Sequence, residues 1–224
     1  MKKEIVILLS LTMILGLAAC GNSASQTEQP PTEDTSVESK ADTNSAENST
    51  DMENTDNQDV QDHKVLVAYF SATGTTKGVA EHIANGLNAD IYEIVPEEAY
   101  TDADLDYNDN NSRTTIEMND PDARPAISGS VENMEQYDII FVGYPIWWGE
   151  APRIVSTFME SYDFSGKTIV PFCTSGGSGI GSSASNLERL TSGATWLDGR
   201  RLNGSDSQDT VMEWVDSLDL NLAE

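Results

Sequence analysis

Three short apolar runs dominate the hydropathy pattern: Lys64-Val65-Leu66-Val67-Ala68-Tyr69-Phe70, Asp138-Ile139-Ile140-Phe141-Val142-Gly143 and Thr168-Ile169-Val170-Pro171-Phe172-Cys173. Each is nearly continuous rather than alternating, as a strand buried on both faces requires. Pro171 counts against the third run as an inner strand, because proline brings no amide to a ladder. Between the runs, apolar positions take up helical spacing. Val79, Ala80, Ile83, Ala84 and Leu87 predict a helix over 77–87, and further helices fit 151–162, 182–190 and 209–218. Residues 89–95 alternate, predicting a strand nearer an edge, and 194–202 offer a weak last strand. Pro96 to about Ser130 is a long acidic excursion with a helical stretch near Arg113–Met118. Strands alternating with helices predict an α/β fold, a parallel sheet wound right-handedly with helices on both faces. The loops 71–76, 144–149 and 174–179 each follow an inner strand directly. They therefore converge on one sheet edge, where such folds bind their ligands.

The first 62 residues follow another logic. Lys2 and Lys3 precede an apolar run from Ile5 to Leu17, then Ala18, Ala19 and Cys20. A basic start, a short apolar stretch and small residues make a secretory signal, and the run is short for a membrane-spanning helix. Leu17-Ala18-Ala19-Cys20 resembles the bacterial lipobox, which implies lipidation of Cys20 and anchoring at the extracytoplasmic face of the cell membrane. Several acyl chains on one residue hold a protein there without a spanning segment. Residues 21–62 carry eleven acids, one lysine and almost nothing apolar, which predicts a disordered acidic tether. The expected organisation is thus signal 1–20, tether 21–62 and folded domain 63–224.

Charge narrows the function classes. The chain carries a formal −26, and from His63 onward nine basic residues face twenty-six acidic ones, leaving −17. Nucleic-acid binding rests on phosphate neutralisation by lysine and arginine, so that class is set aside. A basic protein partner remains compatible, as does simple solubility. Besides Cys20 the only thiol is Cys173, and the only histidines are His63 and His82. No metal site is expected from so few ligands.

The loops themselves carry the candidate chemistry. Ser71-Ala72-Thr73-Gly74-Thr75-Thr76 packs four hydroxyls and a glycine into a turn that opens a helix, which suits a phosphate. It matches neither the Walker spacing nor the dinucleotide glycine fingerprint. Tyr144-Pro145-Ile146-Trp147-Trp148-Gly149 places two adjacent indoles in a turn. At least one should be exposed for stacking on a flat ring, while the other serves equally well as a hydrophobic lid. Thr174-Ser175-Gly176-Gly177-Ser178-Gly179 has little bulk, so its backbone can approach a planar ring closely, or it is a plain connector.

Taken together, these segments resemble the flavodoxin-like family. Phe70 to Thr76 is similar to the flavodoxin phosphate loop. Gly143 to Gly149, with Phe164-Ser165-Gly166-Lys167 and Phe172 to Gly179, resembles a bacterial flavodoxin-like branch, and the likeness spans Lys64 to the end. It implies a doubly wound five-stranded parallel sheet of order 2-1-3-4-5 and FMN as cofactor. Ser71, Thr73, Gly74, Thr75 and Thr76 would hold the phosphate. Pro145, Trp147, Trp148 and Gly149 would border the ring, Trp148 stacking on it and the Gly149 carbonyl lying near its N5. Thr174, Ser175, Gly176, Gly177 and Gly179 would flank the other edge. The family's usual second aromatic is missing from that last loop, and Tyr107 in the excursion is the candidate substitute. No catalytic acid, base or nucleophile is implied, since the cofactor carries the chemistry. An electron carrier serving a redox protein partner, an NAD(P)H- or quinone-linked oxidoreductase, and a non-catalytic module keeping the fold are the three readings left open.

Overall fold

The computed structural model describes residues 63–220. The signal, the lipobox at Cys20 and the tether lie outside the described residues, as do positions 221–224.

All three apolar runs form inner strands: β1 (Val65–Tyr69), β5 (Ile139–Pro145) and β6 (Thr168–Thr174). Around them the chain places α1 (Thr75–Leu87), β2 (Asp90–Glu93), β3 (Val95–Pro96), α2 (Arg113–Asn119) and β4 (Ile127–Ser128). After a 3-10 turn at Met134–Gln136 and β5 comes α3 (Arg153–Glu160). Then β6 is followed by α4 (Ser183–Glu188), β7 (Thr195–Trp196), β8 (Arg200–Leu202) and α5 (Gln208–Asp216). The main sheet runs β2-β1-β5-β6-β7, with β8 also on β6, and every pairing in it is parallel. Counting β7 and β8 as one position, this is the expected 2-1-3-4-5 order. The excursion adds a separate antiparallel pair, β3 with β4.

Strand alternation divides the core into two layers. Leu66, Ala68, Ile140, Val142 and Ile169 pack on one face against Ile154, Val155 and Phe158 of α3 and Leu187 of α4. Val65, Val67, Phe141, Val170 and Phe172 pack on the other, against Val79 and Ile83 of α1 and Val211, Trp214 and Val215 of α5.

Pro171 does sit in an inner strand, and its register explains why this is tolerated. Thr168 N–H donates to Asp138 O at 2.8 Å, whereas Ile169 O accepts from Leu197 N–H at 2.9 Å. Even positions of β6 thus address β5 and odd positions address the last strand. Position 171 faces the last strand, and that strand is broken there. β7 pairs with Thr168 and Ile169, β8 resumes at Phe172, and the proline falls in the gap. The single weak strand expected over 194–202 is therefore two short pieces.

Helix boundaries also differ from the periodicity. α1 starts at Thr75 rather than Lys77, since Gly74 at φ +84° takes the N-cap position and lets the chain turn into the helix two residues earlier. α3 starts at Arg153 because Pro152 occupies its N-cap. β5 runs on through Tyr144 and Pro145, pairing with Cys173 and Thr174, so the second loop begins at Ile146.

Candidate functional site

The sheet order reverses between β1 and β5, and the three loops gather at the carboxyl ends of the strands beside that point. A cleft of about 410 Å³ opens there. Ala72, Thr73 and Thr76 come to it from the first loop, and Pro145, Ile146, Trp147 and Trp148 from the second. Leu105, Tyr107 and Thr114 come from the excursion. Of the residues expected from sequence, Thr73, Thr76, Pro145, Trp147 and Trp148 line the cleft directly.

The first loop leaves donors uncommitted. No side chain caps the N-terminus of α1, so the amides of its first turn, apart from that of Gly78, which reaches Gly74 O at 3.2 Å, have no intrahelical partner. Ser71 Oγ is buried with no hydrogen-bond partner. Thr73 and Thr75 bond each other through their hydroxyls at 3.3 Å. Thr76 Oγ1 and Thr174 Oγ1, both buried, meet at 2.8 Å. Two hydroxyls bring two protons and their mutual bond uses one, so one donor at the cleft floor stays free. Buried polar groups are normally satisfied. An unpartnered hydroxyl beside an uncapped helix start fits an anionic, oxygen-rich ligand group.

The two indoles part company. Trp147 packs edge-on against Phe70 at 5.5 Å and Tyr100 at 5.4 Å between centroids, so it is the lid residue. Trp148 is 46% exposed and Tyr107 73% exposed, and both line the cleft. Trp148 stands at φ +48° and Gly149 at φ +81°. Trp147 and Glu150 exchange two backbone bonds of 2.9 Å across them, which makes a type I′ turn.

Ser175, Gly176, Gly177 and Gly179 do not line the cleft; the third loop runs beside it and is tied back. Thr174 holds Thr76, Arg201 Nη1 donates to Gly177 O at 3.1 Å, and Ser175 Oγ is committed to Ser178 O. Sequence reasoning missed Leu105 and Thr114. Thr114 donates through both N–H (3.2 Å) and Oγ1 (2.6 Å) to Asp104 O, which folds the excursion onto the cleft. No periodicity announces such a contact. A second network fixes this wall. Arg113 lies 4.1 Å over the Tyr100 ring and bonds Glu117 at 2.7 Å, and Tyr100 OH donates to the same carboxylate. Burial, then that bond, pushes the Tyr100 phenol well above its ordinary range. Below the site, burial raises the Cys173 thiol to about 12 and lifts the Tyr144 phenol further still. Neither is poised to ionise. Among the cleft-lining residues only Tyr107 carries a titratable side chain.

Comparison with known proteins agrees with this geometry. A family model described as flavodoxin matches residues 64–218. A protein of Bacteroides eggerthii, provisionally described as a flavoprotein, is 48% identical with a TM-score of 0.66, covering 70% of this chain and 98% of that one. A counterpart from Bacteroides uniformis is 47% identical at the same TM-score, covering 69% and 98%. A Lactobacillus acidophilus flavoprotein solved in complex with FMN shares the fold at 22% identity and a TM-score of 0.54, covering 70% and 99%. No curated protein matches the chain.

Proposed function

Since this chain belongs to the flavodoxin family, we propose that it binds FMN in the strand-end cleft and serves as an electron-transfer flavoprotein. The observation that carries this reading is the buried, unpartnered Ser71 hydroxyl in the loop that runs into the uncapped start of α1, the loop whose Ala72 and Thr73 line the cleft together with Trp148 and Tyr107. Ser71, Thr73, Thr75 and the amides of Thr75 and Thr76 would hold the phosphate by neutral donors and helix polarity. Trp148 would lie against the ring, with Tyr107 in place of the absent aromatic of the third loop. The free proton of the Thr76–Thr174 pair would reach the ligand from the cleft floor. FMN when bound supplies the redox chemistry; the chain binds, orients and shields. A cleft whose sole titratable side chain is one tyrosine offers little machinery for proton transfer to a separate substrate, which favours an electron carrier.

A reductase using NAD(P)H or a quinone is the second reading. The apolar wall of Leu105 and Tyr107 favours it, because such a wall can pack a planar substrate beside the ring. Lipidation of Cys20 would hold the domain outside the cytoplasmic membrane, within reach of a redox protein partner. Its support is the lipobox motif.

Purified domain should be yellow, or should quench the fluorescence of added FMN with one-to-one stoichiometry. A colourless protein that leaves free FMN unquenched would end this reading. Bleaching of bound flavin by NADH or NADPH alone would select the reductase. Release of the Cys20→Ser chain from membranes would support the anchor, and retention would oppose it.

A further inference from the structure

The turn that presents Trp148 is built in an unusual way. Both central positions of a type I′ turn need positive φ, which asparagine and glycine adopt readily and a bulky aromatic residue does not. Here the first central residue is Trp148, at φ +48°. Its ring is half-exposed, so packing of the ring into the core does not explain the conformation. Strained residues of this kind persist only where their surroundings over-determine them.

Glu150, the last residue of the turn, has both carboxylate oxygens held from outside the turn. Ser182 Oγ donates to its Oε1 at 3.1 Å and Asn186 Nδ2 donates to its Oε2 at 2.8 Å. Ser182 is the N-cap residue of α4, and Asn186 lies within the helix, which is fixed in the core by buried Ser183 and Leu187. Tyr144, on β5 just before the turn, bonds Ser183 at 3.0 Å, so the same helix is tied to the strand that delivers the turn. The Gly149 carbonyl also backs onto this segment, 4.0 Å from where a Cβ at Gly181 would stand.

We propose that Glu150 is a positioning residue whose clamp to Ser182 and Asn186 holds Trp148 in its left-handed conformation at the cleft before any ligand arrives. Pre-organising a contact residue removes the cost of ordering it on binding. The inference rests on the FMN reading for the identity of the ligand. The clamp itself is judged without ligand.

The test uses the full chain in four forms: wild type, Glu150→Ala, Glu150→Gln, and the double variant Ser182→Ala/Asn186→Ala, whose changes lie outside the turn. Ligand-free protein is followed by hydrogen exchange at the amides of positions 147 and 150, and by acrylamide quenching referenced to Trp148→Phe. FMN titration and urea unfolding follow. In Glu150→Ala and in the double variant these two amides should exchange about tenfold faster and FMN should bind about tenfold more weakly, with little change in the urea midpoint. Glu150→Gln should recover most of both, because its amide oxygen can still accept from Asn186 while the Ser182 hydroxyl, donor or acceptor, takes its NH2. Unchanged exchange and quenching would overturn the proposal. So would faster exchange with undiminished FMN affinity, or a loss matched by faster exchange throughout the domain. Failure of the wild type to bind FMN would sink the cofactor reading alone; exchange and quenching would then decide on the clamp.

Discussion

Thr76 and Thr174 share a buried hydroxyl–hydroxyl bond of 2.8 Å although ninety-eight positions separate them. The first belongs to the opening turn of α1 and the second closes β6, so one contact fastens the first loop to the third. Removing one partner strands the other. Either Thr76→Val or Thr174→Val should lower unfolding free energy by about 1–3 kcal/mol, whereas the double change should cost clearly less than the sum. Urea unfolding of the four proteins measures this. FMN binding should fall most in the double variant, since each single change still leaves one hydroxyl proton uncommitted.

Ser71→Ala should act with opposite signs on stability and affinity. The buried hydroxyl has no partner in the ligand-free protein, so its removal relieves a desolvation penalty of about 1 kcal/mol. The same change takes a donor from the phosphate site and should weaken FMN binding about tenfold, as loss of one hydrogen bond to a charged group does. Paired urea and fluorescence titrations check both halves.

Alkaline pH should loosen the fold through Cys173. Burial pushes its thiol up from the ordinary 9.0 to about 12. The folded state therefore keeps the proton that the unfolded state releases. The thiol's contribution is fully present below about pH 9 and is lost as pH rises towards 12. Unfolding free energy should decline in that window by up to about 1.4 kcal/mol per pH unit. The Cys173→Ala protein should show a shallower decline. At pH 8 the thiol should ignore a disulfide reagent until urea unfolds the chain.

Gly143→Ala should be among the most damaging single-methyl changes in the sheet. A Cβ there would stand 2.2 Å from Cζ of Phe172, its register partner on β6. The ring is buried in the layer under α1 and α5 and has no space to retreat. Overpacking of this kind costs about 1–3 kcal/mol. Phe172→Leu in the same chain should recover part of the loss, measured as a double-mutant cycle.

The inner sheet was legible because β1, β5 and β6 bury both faces, leaving apolar runs with no polar alternation to confuse them. The gathering of the loops followed from those runs, whereas the order of strands came from the family resemblance alone. The broken last strand was not legible in its own residues, because its cause lies on the neighbour: the amide that Pro171 lacks. Within the site, the adjacent indoles announced that one would be exposed, but only packing against Phe70 and Tyr100 decided that Trp147 is the half-buried lid. The wall from the excursion was the least readable part. Leu105 and Thr114 reach the cleft through a carbonyl of Asp104, a contact with no periodicity and no motif.

The gap opposite Pro171 has a consequence for how these molecules meet one another. The far margin of the sheet consists of two segments, two and three residues long, so it presents no continuous row of amides and carbonyls. A neighbouring polypeptide seeking to extend the sheet by edge-to-edge pairing would find too short a template on either segment. The interruption, together with the charged Arg200 and Arg201 on the second segment, thus guards against aggregation on that side.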